Sequence, residues 1–243
     1  MTIHDIRRQI PNILTLLNLL SGCIGLYALF QYQYDWIPWC VGISLLADFL
    51  DGLAARALNA HTSIGKDLDS LADVVSFGVL PGAMLFQLLL QAGRTANNSD
   101  IVNLWMSVPG FSVTLFAALR LAKFNHDQRQ TDSFIGLATP AMTIFVVGIL
   151  LMILHNSLGL SDLLLQRPVL WGIAAVLSVL QLAEIPMFSL KFKDKRPTGR
   201  IIPAVFLAIV LLLLITIRFA ALPAGIILYV ATSIILNRLN ETS

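Results

Sequence analysis

The sequence predicts an all-α, polytopic integral membrane protein. Of its 243 residues, 57% are hydrophobic and only 12% are charged, which is more apolar than a soluble core of this size requires. Apolar runs long enough to cross a bilayer recur along the chain, separated by polar, aromatic and basic stretches. The net charge of +2 is too small to favour nucleic acid as a partner. We therefore expect about eight transmembrane helices in a lipid bilayer.

Residues 1–11 are expected to form a short interfacial helix that precedes the first span. Isoleucines recur there at helical spacing, and Arg7 and Arg8 lie on other faces, where they suit an anionic leaflet. A signal peptide is the alternative, because two arginines precede an apolar run. No small-residue cleavage site is evident in that run, so a retained first span is favoured.

The later spans follow from the length of each apolar run, since about 20 helical residues cross the hydrocarbon layer. The expected spans are Ile13–Phe30, a second from Ile37, Leu68–Gln91, Leu104–Asn125, a fifth ending near Leu154, Pro168–Leu190, Ile201–Ile217 and Leu222–Leu236. No internal repeat or soluble domain is evident. Residues 1–243 are thus expected to form a single membrane-embedded domain, with a catalytic core over residues 1–190 and a C-terminal helix pair at 201–237.

The basic residues predict the orientation in the membrane. With eight spans, all of the 16 Lys and Arg residues except Arg94, Arg167 and Arg218 fall on the side of the N-terminus. The positive-inside rule makes that side cytoplasmic. We expect a bacterial inner membrane, with the acidic residues described next open to the cytoplasm.

Four aspartates interrupt the second and third spans, where an ionisable residue is costly and indicates function. Asp48 and Asp51 share one helical face, and Asp69 and Asp73, one turn apart, share another. Asp67 is expected to point away from Asp69. Converging carboxylates repel each other unless a cation lies between them. Oxygen ligands of this kind suit Mg²⁺, Mn²⁺ or Ca²⁺ rather than zinc.

Two glycines and an arginine accompany these acids. Gly52 and Gly65 leave room for a ligand to approach the backbone, and Arg56 lies one turn from Gly52 and suits phosphate oxygens. Carboxylates, metal ions, glycines and an arginine together indicate phosphoryl chemistry. The alternative is that these are solvated charges flanking transmembrane helices.

The stretch from Asp48 to Asp73 resembles a known family. Its pattern, D-x2-D-G-x2-A-R-x8-G-x3-D-x3-D, is the signature of the CDP-alcohol phosphotransferases, and every fixed position is met. The resemblance implies transfer of a phosphatidyl-type group from a CDP-linked lipid to an alcohol, with release of CMP. It also implies a divalent metal, Mg²⁺ or Mn²⁺ and in two copies, and a homodimer.

The resemblance implies roles for individual residues. Asp48, Asp51 and Asp69 would hold the metal ions. Asp73 would lie near the second ion and act as the general base that accepts the proton of the alcohol. The residues expected against the cytidine diphosphate are Asn12, Thr15, Gly52, Ala55, Arg56 and Gly65. For Asn12 and Thr15, helix–helix contact in the membrane is the alternative.

Three further stretches resemble the phosphatidylserine synthase branch of the family: residues 74–78, 118–125 and 134–141, although Ala138 stands where that branch usually has proline. This resemblance implies CDP-diacylglycerol and serine as substrates. Serine carries a carboxylate, and Arg120 and Lys123, one turn apart, are spaced to bind it, with Arg129 in the loop that follows. All three are alternatively ordinary positive-inside residues.

Two other functions remain compatible with the sequence. A sister enzyme would use glycerol 3-phosphate or inositol phosphate as acceptor, and the same cationic residues would bind its phosphate. A cation transporter would also bury carboxylates, but its acidic residues should reach both sides of the membrane. Here they cluster towards one side, so transport is the more distant alternative.

Overall fold

The computed structural model describes residues 3–60, 62–94, 99–126, 134–188 and 197–241. Almost all of these residues are helical, as the sequence predicts. The helices are α1 (Ile3–Phe30), α2 (Ile37–Ala57), α3 (Ser63–Asp73), α4 (Leu80–Arg94), α5 (Asp100–Ser107), α6 (Ser112–His126), α7 (Thr139–Leu154), α8 (Ser161–Leu164), α9 (Arg167–Leu182), α10 (Pro197–Ile217) and α11 (Ala221–Glu241). A π-helical segment, Val74–Val79, joins α3 to α4, and short 3₁₀ turns cover Tyr34–Trp36, Val108–Phe111, Ser157–Gly159 and Arg218–Ala220.

The described helices confirm a polytopic membrane protein. Five helical segments are long and apolar enough to cross a membrane, and α7 and α9 are shorter apolar helices of 16 residues each. The last of the five, Ile201–Leu239, contains both α10 and α11. Arg218 lies between these two helices in the left-handed conformation, with φ of 49°, so they form separate helices. The described helices thus account for the eight expected spans.

The N-terminal part of the chain differs from the prediction, because residues 3–11 do not form a separate interfacial helix. They are the first turns of α1, which continues without interruption through Pro11 to Phe30. Proline removes one backbone donor from a helix, but membrane helices tolerate this loss where neighbouring groups or water satisfy the freed carbonyl. A single helix of 28 residues therefore replaces the predicted interfacial helix and first span.

The sixth predicted span also differs, because α9 ends at Leu182 rather than near Leu190. Pro186 explains this, since its ring would clash with the carbonyl of Leu182, four residues earlier, if the helix continued. The chain becomes extended instead, and β2 (Pro186–Met187) pairs in antiparallel fashion with β1 (Phe134–Ile135). This two-residue pairing, the only strand pair within the described ranges, holds the start of α7 beside the end of α9.

Helix α4 lies at the centre of the described bundle. It contacts α1, α5, α6, α7 and α9, and Leu80, Met84, Leu85 and Leu89 on it are fully buried. In the segment Ile64–Arg94, which contains α4, 67% of the apolar 18-residue stretch is buried. The corresponding fraction in Ile201–Leu239, which contains α10 and α11, is 11%. The C-terminal helices therefore lie at the periphery, where α11 packs on α7 and α10 packs on α11. The predicted division into a catalytic core and a C-terminal pair stays a prediction.

Candidate active site

Three of the predicted acidic residues meet where α2 and α3 approach each other. One carboxylate oxygen from each of Asp48, Asp51 and Asp69 lies within 4.8 Å of the others. Asp51 is buried, whereas Asp48 and Asp69 are partly buried. Asp67 is exposed and lies outside this group, in agreement with its predicted direction. The group thus combines residues from two helices that are up to 21 positions apart in sequence.

Asp73 lies beside this group, one turn beyond Asp69 on α3. It is 8% exposed and lies within electrostatic range of Asp48 and Asp69. Its Oδ1 accepts a hydrogen bond of 3.1 Å from the Nδ2 group of Asn18 on α1, a residue with no exposed surface. The Asn18 amide therefore orients the carboxylate of Asp73, the residue that the family resemblance implies is the general base.

Helix α1 supplies a stripe of polar side chains that faces the acidic residues. The Thr15 hydroxyl donates to Asp51 Oδ2 at 2.7 Å, and the hydroxyl oxygen of Thr15 also lies 3.0 Å from the carbonyl of Pro11. The backbone carbonyl of Asn18 accepts from the hydroxyls of Ser44 and Ser76 at 3.1 and 2.9 Å. These bonds attach α1 to α2 and to the π-helical segment after α3, and they supply the partners that buried polar groups require.

The π-helical segment directly after Asp73 is held by side chains from two other helices. Thr114 on α6 donates to the carbonyl of Gly78 at 2.9 Å. The Thr143 hydroxyl on α7 lies 3.1 Å from the carbonyl of Phe77 and 2.9 Å from that of Thr139 on its own helix. A π-helix changes the direction of the residues on either side of it and is frequent at functional sites. These threonines therefore stabilise the backbone that follows Asp73.

Five of the six predicted nucleotide residues line a small cavity on the α1 side of the acids. The cavity has a volume of about 200 Å³. Its walls are Pro11, Asn12, Thr15, Asp51, Gly52, Ala55, Ala60, Thr62, Gly65, Lys66 and Asp69. A Cβ atom on Gly65 would lie 3.0 Å from Thr62 Oγ and 3.3 Å from Asn12 Oδ1, so a side chain there would narrow the cavity.

Arg56 is the predicted nucleotide residue that does not line this cavity. It is exposed, and its Nε donates to the carbonyl of Gly52 on its own helix at 2.9 Å. Its Nη2 atom lies 3.9 Å from the position that a Cβ on Gly52 would occupy. The guanidinium thus lies over Gly52, next to the cavity but outside its walls.

A second, larger cavity of about 530 Å³ lies between α6 and the end of α9. Its walls are Leu119, Arg120, Ala122, Lys123, His126, Ile135, Gln181, Leu182, Ala183 and Glu184. Arg120 is 7% exposed, whereas Lys123 is exposed. Arg120 lies within electrostatic range of Asp73, which connects this cavity to the acidic residues. The predicted third cation, Arg129, lies outside the described residues.

Several residues at the acidic group or at these two cavities did not emerge as candidates from the sequence. The amide of Asn18 belongs to the polar stripe of α1, and its spacing of three from Thr15 was the available signal. Lys66 and Thr62 flank Gly65, and His126 lies one turn after Lys123. No sequence pattern marked Gln181 and Glu184 as candidates, because their position at the second cavity depends on where α9 ends.

The carboxylate group fits a divalent cation. Oδ1 of Asp69 is buried and, within the described part of the chain, accepts no hydrogen bond. An unsatisfied buried carboxylate oxygen is costly, and neighbouring negative charges raise that cost further. A hard cation with oxygen ligands would satisfy the oxygen and neutralise the repulsion. The donors at hand, carboxylates without sulfur or imidazole in the group, suit such an ion.

The chain is similar in sequence to known proteins. The family model described as CDP-alcohol phosphatidyltransferase matches residues 8–183. The chain is 36% identical over 140 residues to a CDP-diacylglycerol–serine O-phosphatidyltransferase of Helicobacter pylori, an alignment that covers 56% of this chain and 55% of that protein.

Proteins of the same name from two other organisms are also similar. The Bacillus subtilis protein is 30% identical over 131 residues, which cover 54% of this chain and 69% of the relative. The Methanocaldococcus jannaschii protein is 34% identical over 139 residues, which cover 57% and 59%. The chain thus spans about half of the Helicobacter relative's length and up to about two thirds of the others.

Proposed function

This chain belongs to the CDP-alcohol phosphatidyltransferase family, and from that membership we propose that it transfers a phosphatidyl group from CDP-diacylglycerol to the hydroxyl of L-serine. The products are CMP and phosphatidylserine. The names of its relatives support serine as the acceptor. The observation that carries the proposal is the position of the buried Arg120, which lines a cavity and lies within electrostatic range of Asp73.

The lipid donor has acyl chains that stay in the bilayer and a charged headgroup that requires water. A polar recess within apolar helices suits such a substrate. We assign the cytidine diphosphate to the cavity of about 200 Å³, next to Gly52 and Gly65, because the missing side chains let a diphosphate approach the backbone. Arg56, beside that cavity, would bind phosphate oxygens once its side chain turns from the Gly52 carbonyl.

Asp48, Asp51 and Asp69 would hold one or two divalent ions, Mg²⁺ or Mn²⁺, with Asp73 next to the second, and Ca²⁺ also suits such ligands. A bound ion supplies charge neutralisation on the diphosphate. The chain's own residues perform the remaining steps. Asp73, oriented by Asn18, accepts the proton of the serine hydroxyl. The serine oxygen then bonds to the lipid-linked phosphorus, and the bond from that phosphorus to the bridging oxygen breaks, so the oxygen leaves with CMP.

Arg120 and Lys123 would bind the serine carboxylate, and Arg129 remains a sequence-based candidate for the same task. Arg120 suits it best, because a buried guanidinium offers several donors in a fixed plane. Its Nε has no hydrogen-bond partner within the described residues. By the positive-inside rule the site opens to the cytoplasm of a bacterial inner membrane, where serine and CMP are soluble. A homodimer is proposed on the family resemblance alone.

The experiment that tests this function is CMP release from CDP-diacylglycerol by the purified protein. L-serine, glycerol 3-phosphate and inositol phosphate are compared as acceptors with Mg²⁺ or Mn²⁺ and after chelation. We expect release with serine and metal, and none with chelator. Release with glycerol 3-phosphate but not serine would mean that the cationic cavity binds a phosphate. Full turnover after exhaustive chelation would show that the reaction does not require a metal ion.

A further inference from the structure

The cavity of about 530 Å³ carries charges of both signs. Arg120 and Lys123 line it from α6, and Glu184 lines it from the segment after α9. Asp73 and Tyr229, which do not line this cavity, act electrostatically on Arg120. The volume of this cavity falls within the range of about 300–1,000 Å³ that is common for small-molecule sites. The cavity therefore offers a ligand separate cationic and anionic groups.

Backbone hydrogen bonds hold the segment that carries Glu184. The Gly136 amide donates to the carbonyl of Ile185 and the Leu137 amide to that of Leu180, each at 2.9 Å. Gly136 has φ of +74°, and a Cβ atom there would lie 2.9 Å from the carbonyl oxygen of Ala183. Only glycine fits this close approach at low cost. The wall that presents Glu184 is thus part of the fold rather than a free chain segment.

Gln181 adds an acceptor to the same wall. It is 1% exposed, and its Nε2 donates to the carbonyl of Val113 at 3.4 Å. Its Oε1 is buried and has no hydrogen-bond partner within the described residues. A buried acceptor without a donor is costly unless a ligand or water supplies one. This oxygen therefore indicates a hydrogen-bond donor in the cavity.

Resting on the proposed function, we propose that Glu184 and Gln181 bind the ammonium group of serine, while Arg120 and Lys123 bind its carboxylate. An ammonium group has three donors and a positive charge, which match a carboxylate and an amide oxygen. Glycerol 3-phosphate and inositol phosphate have no cationic group to bind Glu184. The carboxylate also repels a phosphate that approaches the neighbouring cations, so the same residue disfavours these acceptors. Glu184 thus selects a zwitterionic alcohol.

Two analogues of serine separate the two halves of this proposal. 3-Hydroxypropionate keeps the hydroxyl and the carboxylate but lacks the ammonium group, whereas serinol keeps the ammonium group and lacks the carboxylate. KM for L-serine and the inhibition constants of both analogues are measured by CMP release for the wild type, Glu184→Gln and Gln181→Leu. Asp67→Asn is the matched control, because it removes an exposed carboxylate on the same predicted side that lines neither cavity.

We expect Glu184→Gln to raise KM for serine and the inhibition constant of serinol about tenfold, since one charge-assisted contact is lost. The constant for 3-hydroxypropionate and the KM for CDP-diacylglycerol should stay unchanged. Gln181→Leu should act in the same direction with a smaller effect. Equal changes in the two inhibition constants, or no change in either, would overturn this inference. The proposed function would still stand if the wild type turns over serine. A wild type that ignores serine would overturn both.

Discussion

Replacing Asn18 with leucine removes the amide that orients Asp73 and changes little else. The Nδ2–Oδ1 bond of 3.1 Å joins two buried side chains, one without exposed surface and the other 8% exposed. A hydrogen bond to a charged group contributes about 1.5–3 kcal/mol. If that contribution is lost in the transition state, kcat should fall about ten- to a hundredfold.

The same substitution should leave lipid binding nearly unchanged and should lower stability only by the cost of leaving Asp73 Oδ1 without its donor, about 1–3 kcal/mol. Asn18 Oδ1 has no partner within the described residues, so leucine leaves no donor unpaired there. The backbone carbonyl of Asn18 keeps its bonds from Ser44 and Ser76. Asn18 does not line the cavity assigned to the nucleotide. KM for CDP-diacylglycerol should therefore change by less than about twofold.

The assay is steady-state CMP release, with thermal unfolding in detergent as the measure of folding. Ser44→Ala is the matched control, because it removes a buried hydroxyl that contacts the same residue but leaves the Asn18 amide in place. This control should retain kcat. A folded Asn18→Leu protein with the kcat of the wild type would refute the positioning role. A change in KM for the lipid at constant kcat would assign Asn18 to donor binding instead.

Further predictions concern the acids, the π-helix and the topology. Asp69→Asn should lower turnover at least about a hundredfold without lowering the unfolding temperature, since it removes a ligand and a repelling charge, whereas Asp67→Asn should be nearly silent; equal behaviour of the two variants would contradict the site. Thr143→Val should destabilise the protein by about 1 kcal/mol in thermal unfolding, because it removes the hydroxyl that lies 3.1 Å from the π-helix carbonyl of Phe77; an unchanged unfolding temperature would contradict a stabilising role for this contact. Cysteine at Gly159 should react with an impermeant reagent outside intact cells and cysteine at Lys195 should not; the reverse pattern would invert the orientation.

The sequence was sufficient to predict the helical membrane fold and the proximity of three aspartates, because both follow from local patterns. Apolar length predicts spans, and a period of 3.6 residues predicts which side chains share a face. The exposure of Asp67 beside the partly buried Asp69 follows from the same period. Family membership supports a transferase rather than the cation transporter that buried carboxylates alone left open.

What the sequence did not predict depends on contacts between distant segments. The partner of Asp73 is 55 residues away on another helix, and no local pattern links the two. The early end of α9 could have been inferred from Pro186, but its pairing with Phe134–Ile135 could not. That pairing brings the segment carrying Glu184 to the second cavity. The hydrogen bond from Arg56 to the Gly52 carbonyl on its own helix was also not predicted, and the role of Arg56 in phosphate binding stays a prediction.

The central claim is that the hydroxyl of serine attacks the lipid-linked phosphorus and that CMP leaves. Its most direct test uses L-serine labelled with heavy oxygen in the hydroxyl group, together with CDP-diacylglycerol, the purified protein and Mg²⁺ or Mn²⁺. Mass spectrometry of both products should find the label in phosphatidylserine and none in CMP. Labelled oxygen in CMP, or CMP release without a serine-containing lipid, would contradict the proposed reaction.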